Sequence, residues 1–363
     1  MRTVASIFEE NGRRGPSFDM IRLFAAFMVM VSHAYLTTGT SAFWVHEIGD
    51  GQFSIGGLAV AIFFVLSGYV IMESFRRDPH PWRFARKRAL RIYPALVAVV
   101  VLTALVVGPL MTTLPVGTYF SEPLTAAYLL HAIVPLWEHL PGVFTGNPAH
   151  YVNGSLWTIR WELGCYVLVA LFGAGFVTRR NLVLGLTVAA VLASGVVTTL
   201  PRLHIHGAAI AEARTIVAGL PLVACFLGGC TVSLFAEKLP VSWPVIALAT
   251  AVLVFSCVAF GFYFVFPLLG AYLVVVLGNL RILEFARLRR GIFAGDFSYG
   301  VYIVAFPVQQ IVRQLLGGAC TWWVSLLISL PVTLGLAMLS WHFIEKPCLR
   351  LKYAGADPIP RAA

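Results

Sequence analysis

Arg22 and His33 stand inside one apolar stretch, residues 18–38, where a charged side chain has no water to solvate it. A charge in such a span costs at least about 2.5 kcal/mol on insertion scales, so it turns towards the interior of a helix bundle. Eleven positions separate the two residues. At about 100° per residue that is three turns plus roughly 20°, which puts both on one face with about 16 Å of rise between them. Such a pair can bind an anion at one depth and move a proton at another. The bland alternatives are a snorkelling arginine and a histidine hydrogen-bonded to a neighbouring helix.

A second constellation lies in Arg88-Ala89-Leu90-Arg91-Ile92-Tyr93-Pro94. Arginines at i and i+3 share a helical face and can fork onto phosphate oxygens, although anchoring at a membrane surface also explains basic residues at the end of a span. A third lies in Asn153-Gly154-Ser155-Leu156-Trp157-Thr158-Ile159-Arg160-Trp161-Glu162. Ser155 is expected to cap a helix, with Glu162 about two turns below the surface and close to the depth of His33. A carboxylate beside an imidazole raises its basicity and fixes its tautomer, as a general base requires. Arg160 is the alternative partner for Glu162, in a purely architectural ion pair. Trp157 and Trp161 can stack on a sugar face or anchor the chain at a membrane interface.

The elements that must position these groups follow from composition. Hydrophobic residues make up 59% of the 363 and charged residues 12%, and mean hydropathy is +0.84, far from the roughly even apolar share and one-quarter charge of a globular chain. Apolar stretches fall at 18–38, 55–74, 89–112, 154–177, 181–199, 212–235, 241–260, 262–280, 296–316 and 322–345. An all-α, polytopic bundle of about ten transmembrane helices is expected, with the Gly261 turn its weakest boundary. The net charge of +10 is concentrated between stretches, in Arg76, Arg77, Arg83, Arg86 and Lys87 and again in Arg281, Arg287, Arg289 and Arg290. Ten spans would put those clusters, Arg2, Arg13, Arg14, Arg179, Arg180, Lys238, Lys346, Arg350 and Lys352 on one side, so both termini are expected in the cytoplasm. This distribution speaks for a membrane surface rather than nucleic acid.

The expected organisation is a cytoplasmic tail over 1–17, a membrane domain over 18–346 with an extracytoplasmic loop at 113–153, and a cytoplasmic tail over 347–363. That loop carries five prolines and is expected to hold one short helix near 122–139. The first apolar stretch, interrupted by Arg22 and His33, reads as an uncleaved span rather than a signal peptide. The six cysteines show neither a metal-ligand spacing nor a disulfide framework, so no metal is expected.

Taken in order, the motifs resemble the membrane-bound acyltransferase-3 family, whose bacterial members O-acetylate surface polysaccharides. The resemblance runs over nearly the whole chain. It rests on Phe18-Asp19-Met20-Ile21-Arg22 with ten residues before His33, on Ala61-Ile62-Phe63-Phe64-Val65-Leu66-Ser67-Gly68-Tyr69, and on Arg88-x-x-Arg91-Ile-Tyr-Pro. It rests also on Ser155-Leu156-Trp157 through Glu162, on Phe297-Ser298-Tyr299-Gly300-Val301-Tyr302, and on Phe343-Ile344-Glu345-Lys346-Pro347. The resemblance implies an Arg-x10-His motif carried by Arg22 and His33 and an acyl-CoA-binding Arg-x-x-Arg motif carried by Arg88 and Arg91. One departure is Ala305-Phe306-Pro307, where many relatives place a histidine shortly before the proline. With only a short stretch after Glu345, the esterase-like domain fused to some relatives is not expected here.

These readings together imply a multi-pass enzyme of the bacterial inner membrane that takes an acetyl or other short acyl group from cytoplasmic acetyl-CoA or its analogue. Arg22, Arg88 and Arg91 are expected to hold the donor. His33, oriented by Glu162, is expected to take the proton of an acceptor hydroxyl or to carry the acyl group itself. Asn153, Ser155 and Trp157 are expected to touch a saccharide acceptor. Asp19 and Glu345 are expected to pair with arginines as structure. Two readings stay open beside this one, acylation of a small molecule such as an antibiotic and a transporter, whereas a mere scaffold would leave Arg22 and His33 unexplained. Oligomeric state is left open.

Overall fold

The computed structural model describes residues 2–12, 15–41, 54–133, 138–199, 218–259, 261–280 and 295–351. The basic loop 281–290, Arg13, Arg14, Lys352 and the first residues of the sixth apolar stretch lie outside them. Each of the ten apolar stretches is helical where it is described. Six helices are long and apolar enough to cross a bilayer. In chain order the helices are α1 (Val4–Glu10), α2 (Phe18–Thr38), α3 (Ile55–Arg77), α4 (Pro81–Met111), α5 (Val116–Ser121) and α6 (Pro123–Leu129). They continue with α7 (Ile159–Thr178), α8 (Arg180–Thr199), α9 (Leu220–Leu234), α10 (Trp243–Val258), α11 (Phe262–Asn279), α12 (Ser298–Leu316) and α13 (Trp322–Arg350). No strand occurs among the described residues.

The bundle is organised around α3, which packs on α9, α2 and α11, while α12 packs on α2 and α13. Apolar packing alone does not hold helices together in lipid, so small residues that let backbones touch set the geometry. A Cβ added at Gly68 of α3 would lie 2.0 Å from the Phe226 carbonyl oxygen of α9, and one at Gly229 of α9 would lie 2.2 Å from the Val65 oxygen of α3. The two helices therefore meet backbone to backbone. Large apolar side chains such as Leu171, Phe255 and Leu327 are instead exposed on the outside, as lipid contact requires.

Helix ends and irregularities follow local chemistry. Helix α2 ends where Gly39 takes a left-handed φ of 68° and its N–H reaches back to the Leu36 and Tyr35 carbonyls. Helix α4 starts eight residues before the apolar stretch, because Pro81 is preorganised for a first turn. Widened turns at Thr103–Val107, Phe266–Gly270 and Trp341–Glu345 sit against or across Pro109, Pro267 and Pro347, each of which lacks an N–H for the regular ladder. The helix expected near 122–139 is present as the shorter α6 with a 3₁₀ turn at Leu130–Ala132, and a further short helix, α5, precedes it, the two parted where Glu122 is extended ahead of Pro123; residues 134–137 lie outside the described set. Gly261 does separate two helices, its N–H bonding back to the Ser256 carbonyl at 2.9 Å.

Candidate active site

Helix α2 delivers Arg22 to the end of the bundle where the basic connection between α3 and α4 also lies. There Arg22 Nη1 is 3.4 Å from Asp19 Oδ1 and 3.9 Å from Asp296 Oδ2. Arg91, on α4, donates to Asp296 at 2.6 Å and to Glu345 at 3.1 Å. Asp296 also accepts from the Ser298 N–H and hydroxyl, capping the start of α12. One lattice of charges thus ties α2, α4, the start of α12 and the end of α13. The pairing expected for Asp19 and Glu345 is present, Glu345 being almost wholly buried.

Arg88 differs from its neighbour three residues on. It makes no ion pair among the described residues, its guanidinium lies 5.9 Å from the Phe84 ring centroid, and its Nε is buried without a hydrogen-bond partner. A half-buried guanidinium whose Nε is shut off from water without a hydrogen-bond partner is costly unless an anion completes it. Arg22, Arg88, Arg91 and Glu162 line one cavity of about 210 Å³. Its remaining wall is mostly apolar, aliphatic and aromatic in equal measure, the rings including Phe63, Phe64, Tyr299 and Tyr302. The expected convergence of the arginines is present, and the donor set fits an anionic ligand with a slender, weakly polar extension.

Glu162 stands at this cavity, and here the expected pairing with His33 is corrected. The carboxylate accepts a hydrogen bond from the Tyr166 hydroxyl one turn along α7, and Tyr166 lies 3.3 Å from the Ser67 hydroxyl of α3. His33 does not line the cavity. Its ring lies edge-on to Phe306 of α12, with centroids 4.9 Å apart, and its Nδ1 is buried without a partner. The physical reason is that the chain turns into the bundle before α7 begins. Asn153 Nδ2 donates to the Ile303 carbonyl at 2.8 Å, and Ile303 already sits about 4.5 Å of helix inward of Phe306. Thr158 then meets Tyr302 at 2.7 Å. Everything beyond Thr158, Glu162 included, therefore falls at arginine depth rather than at imidazole depth. Arg160 is not Glu162's partner either; its Nε is buried without a hydrogen bond.

The residues expected to touch an acceptor are also re-assigned. Asn153 is 2% exposed and Ser155 0%. The Asn153 side chain is spent on Ile303 and on the Ser155 N–H, so Asn153, not Ser155, shapes the entrance to the helix, through a 3₁₀ turn at Leu156–Thr158. Asn153 holds the segment against α12, and the Ser155 hydroxyl is buried without a partner. Trp157 is partly buried against the core. Asp296, Tyr166, Ser67 and Tyr302 were not singled out by the sequence reading. The available signals were the position of Asp296 directly before Phe297 and the i, i+4 spacing of Glu162 and Tyr166.

Asp78 and His131 are among the titratable groups outside the spans that are perturbed. The hydrogen bond from Lys87 Nζ at 2.7 Å holds Asp78 below the usual carboxylate range, against the opposing effect of partial burial. Burial, helped by the Arg160 charge, pushes His131 down to about 4. Among the described residues no group of His, Cys, Asp and Glu could hold a metal ion.

Comparison with known proteins bears on this arrangement. A family model described as an acyltransferase domain matches residues 16–342. The chain is similar to an O-acetyl transferase of Shigella phage Sf6, 31% identical over 338 residues that cover 91% of this chain and 94% of that protein. It is similar to nodulation protein 10 of Rhizobium leguminosarum bv. viciae, 30% identical over 371 residues, 94% of this chain and 95% of the other. A shorter likeness, 26% over 163 residues, links 44% of this chain to 39% of acyltransferase MdmB of Streptomyces mycarofaciens. No solved structure gave a significant match.

Proposed function

We infer the function from one premise: this chain belongs to the acyltransferase-3 family. It is an O-acetyltransferase, or a transferase of another short acyl group, that moves the acyl group from cytoplasmic acyl-CoA to a hydroxyl of a cell-envelope or exported polysaccharide. It is a multi-pass protein of the bacterial inner membrane, with about ten spans, both termini in the cytoplasm and the basic end of the bundle facing inward. The observation that carries the reading is Arg88, half-buried beside Arg22 and Arg91 at one cavity, with its Nε buried and unpartnered and no carboxylate of its own.

Arg88 and Arg91, with Arg22 beside them, bind the donor's phosphates at the cytoplasmic mouth. Arg91 is held in place by Asp296 and Glu345, which leaves Arg88 as the freer charge. The apolar wall receives the thioester arm, and Glu162, fixed by Tyr166, balances the arginine charge on the opposite side. The cavity reaches Tyr302, one turn of α12 below the Phe306 ring that covers His33. His33 removes the proton from the acceptor hydroxyl as its oxygen attacks the acyl carbon; the C–S bond breaks, and the imidazole returns that proton to the departing thiolate. His33 suits this role because its Nδ1 is not committed to a neighbour.

Transfer of label from radioactive acetyl-CoA to an envelope glycan, using purified protein in lipid, tests the reading. We expect labelled glycan and free CoA in equal amounts. Consumption of acetyl-CoA without labelled glycan, or movement of a solute with neither, would overturn it.

A further inference from the structure

Helix α12 passes three features in order. Ser298, Tyr299 and Tyr302 line the arginine cavity, Phe306 covers His33, and Arg313 with Gln314 lines a second cavity of about 280 Å³. Arg313 is seven positions beyond Phe306, about 10 Å of helix. The second cavity therefore sits two turns beyond the imidazole, at the end away from the arginine cluster. Resting on the acyl transfer inferred above, we propose that this cavity is the acceptor subsite and that it takes an acidic sugar unit, whose carboxylate pairs with Arg313.

Three observations carry this assignment. Arg313 Nη1 donates to the carbonyls of Gly317 and Cys320, which pins the guanidinium, while its Nε and Nη2 have no partner among the described residues. That open edge is the one that grips a carboxylate with two parallel hydrogen bonds, and no acidic residue lines the cavity to occupy it. Thr113 and Thr145 bring hydroxyl groups to its lining, Asn147 is fixed there by hydrogen bonds to Gln310, and glycines leave room for a ring. Lastly, Phe144 holds a φ of 57°, a left-handed conformation that is costly for a bulky residue. Its ring is buried in the core, so its strained backbone is fixed as part of the cavity wall.

The test uses the full chain in lipid nanodiscs with acetyl-CoA and a panel of uronate-bearing tetrasaccharides, each beside its carboxyl-reduced counterpart. Acceptor-dependent CoA release gives KM values, and calorimetric titration of the same sugars gives affinity without transfer. We expect at least one uronate to be preferred over its reduced form by about tenfold or more. Arg313→Gln should erase that preference by raising the uronate KM while the KM for acetyl-CoA does not move. Gly146→Leu, whose added side chain meets open space inside the cavity, should weaken both members of the pair. Equal affinity for both members of every pair in the wild type, a preference that survives Arg313→Gln, or an unchanged Gly146→Leu would each overturn the assignment. Uronate binding lost in Arg313→Gln, but without CoA release from any acceptor, would keep the subsite and overturn the transfer reading instead.

Discussion

Arg88 and Arg91 lie one turn apart on α4, share one cavity and should respond to mutation in opposite ways. Replacing Arg91 by Gln removes the partner of Glu345, 3.1 Å away and 1% exposed, and of Asp296, 2.6 Å away and 19% exposed. Leaving a buried carboxylate without its cation costs about 3–5 kcal/mol, a large part of the stability of a typical domain. The loss should show as a fall in melting temperature in detergent micelles, and a second change, Glu345→Gln, should restore part of it. Arg88 has no such carboxylate. Replacing it by Gln removes a cation that no carboxylate pairs directly, so stability should hold, while the KM for acyl-CoA should rise by about ten- to a hundredfold, the worth of a charge-assisted hydrogen bond of roughly 1.5–3 kcal/mol. Equal destabilisation by both substitutions, or an acyl-CoA KM that ignores Arg88→Gln, would refute the division of labour.

Other substitutions test the frame and its charges. Gly68→Ala should destabilise the bundle by several kcal/mol, on the order of an overpacked core, because its Cβ meets a backbone carbonyl at 2.0 Å, whereas Gly164→Ala, with open space around it, should be neutral in the same melting assay. Asp78 has a depressed pKa, so its contribution is present above about pH 4 and lost as pH falls through the lower folded value; the stability gap between wild type and Asp78→Asn should stay flat from about pH 5 to 8 and close below about pH 4. His131 is depressed to about 4, so the unfolded chain binds more protons than the folded one between there and about 6.5; wild-type stability should fall across that window on acidification, and His131→Phe should remove that slope.

Much of this organisation was legible in the residues. The bounds of α2 follow from its apolar run, and the convergence of Arg22 with Arg88 and Arg91 follows from the cost of leaving any of them in lipid. The depth of Glu162 did not follow. Counting turns from Ser155 assumes that the helix begins at the surface, and only the tertiary contact between Asn153 and Ile303 shows that the chain has already turned inward. Tyr166 was in hydrogen-bond range by spacing alone, but a tyrosine on an apolar helix gives no sign of which carboxylate it serves. Arg313 looked like an ordinary residue at a helix end until the loop around Phe144 closed a cavity beside it.

The central claim is that an acyl group crosses from the basic end of the bundle to a hydroxyl at the other, through His33. Sealed proteoliposomes test it directly, with labelled acetyl-CoA confined to the basic face and a saccharide acceptor to the opposite face. We expect label on the far-side sugar with the wild type and none with His33→Ala, while that variant melts as the wild type does. Label confined to the donor side, or transfer that survives in the folded His33→Ala protein, would contradict it.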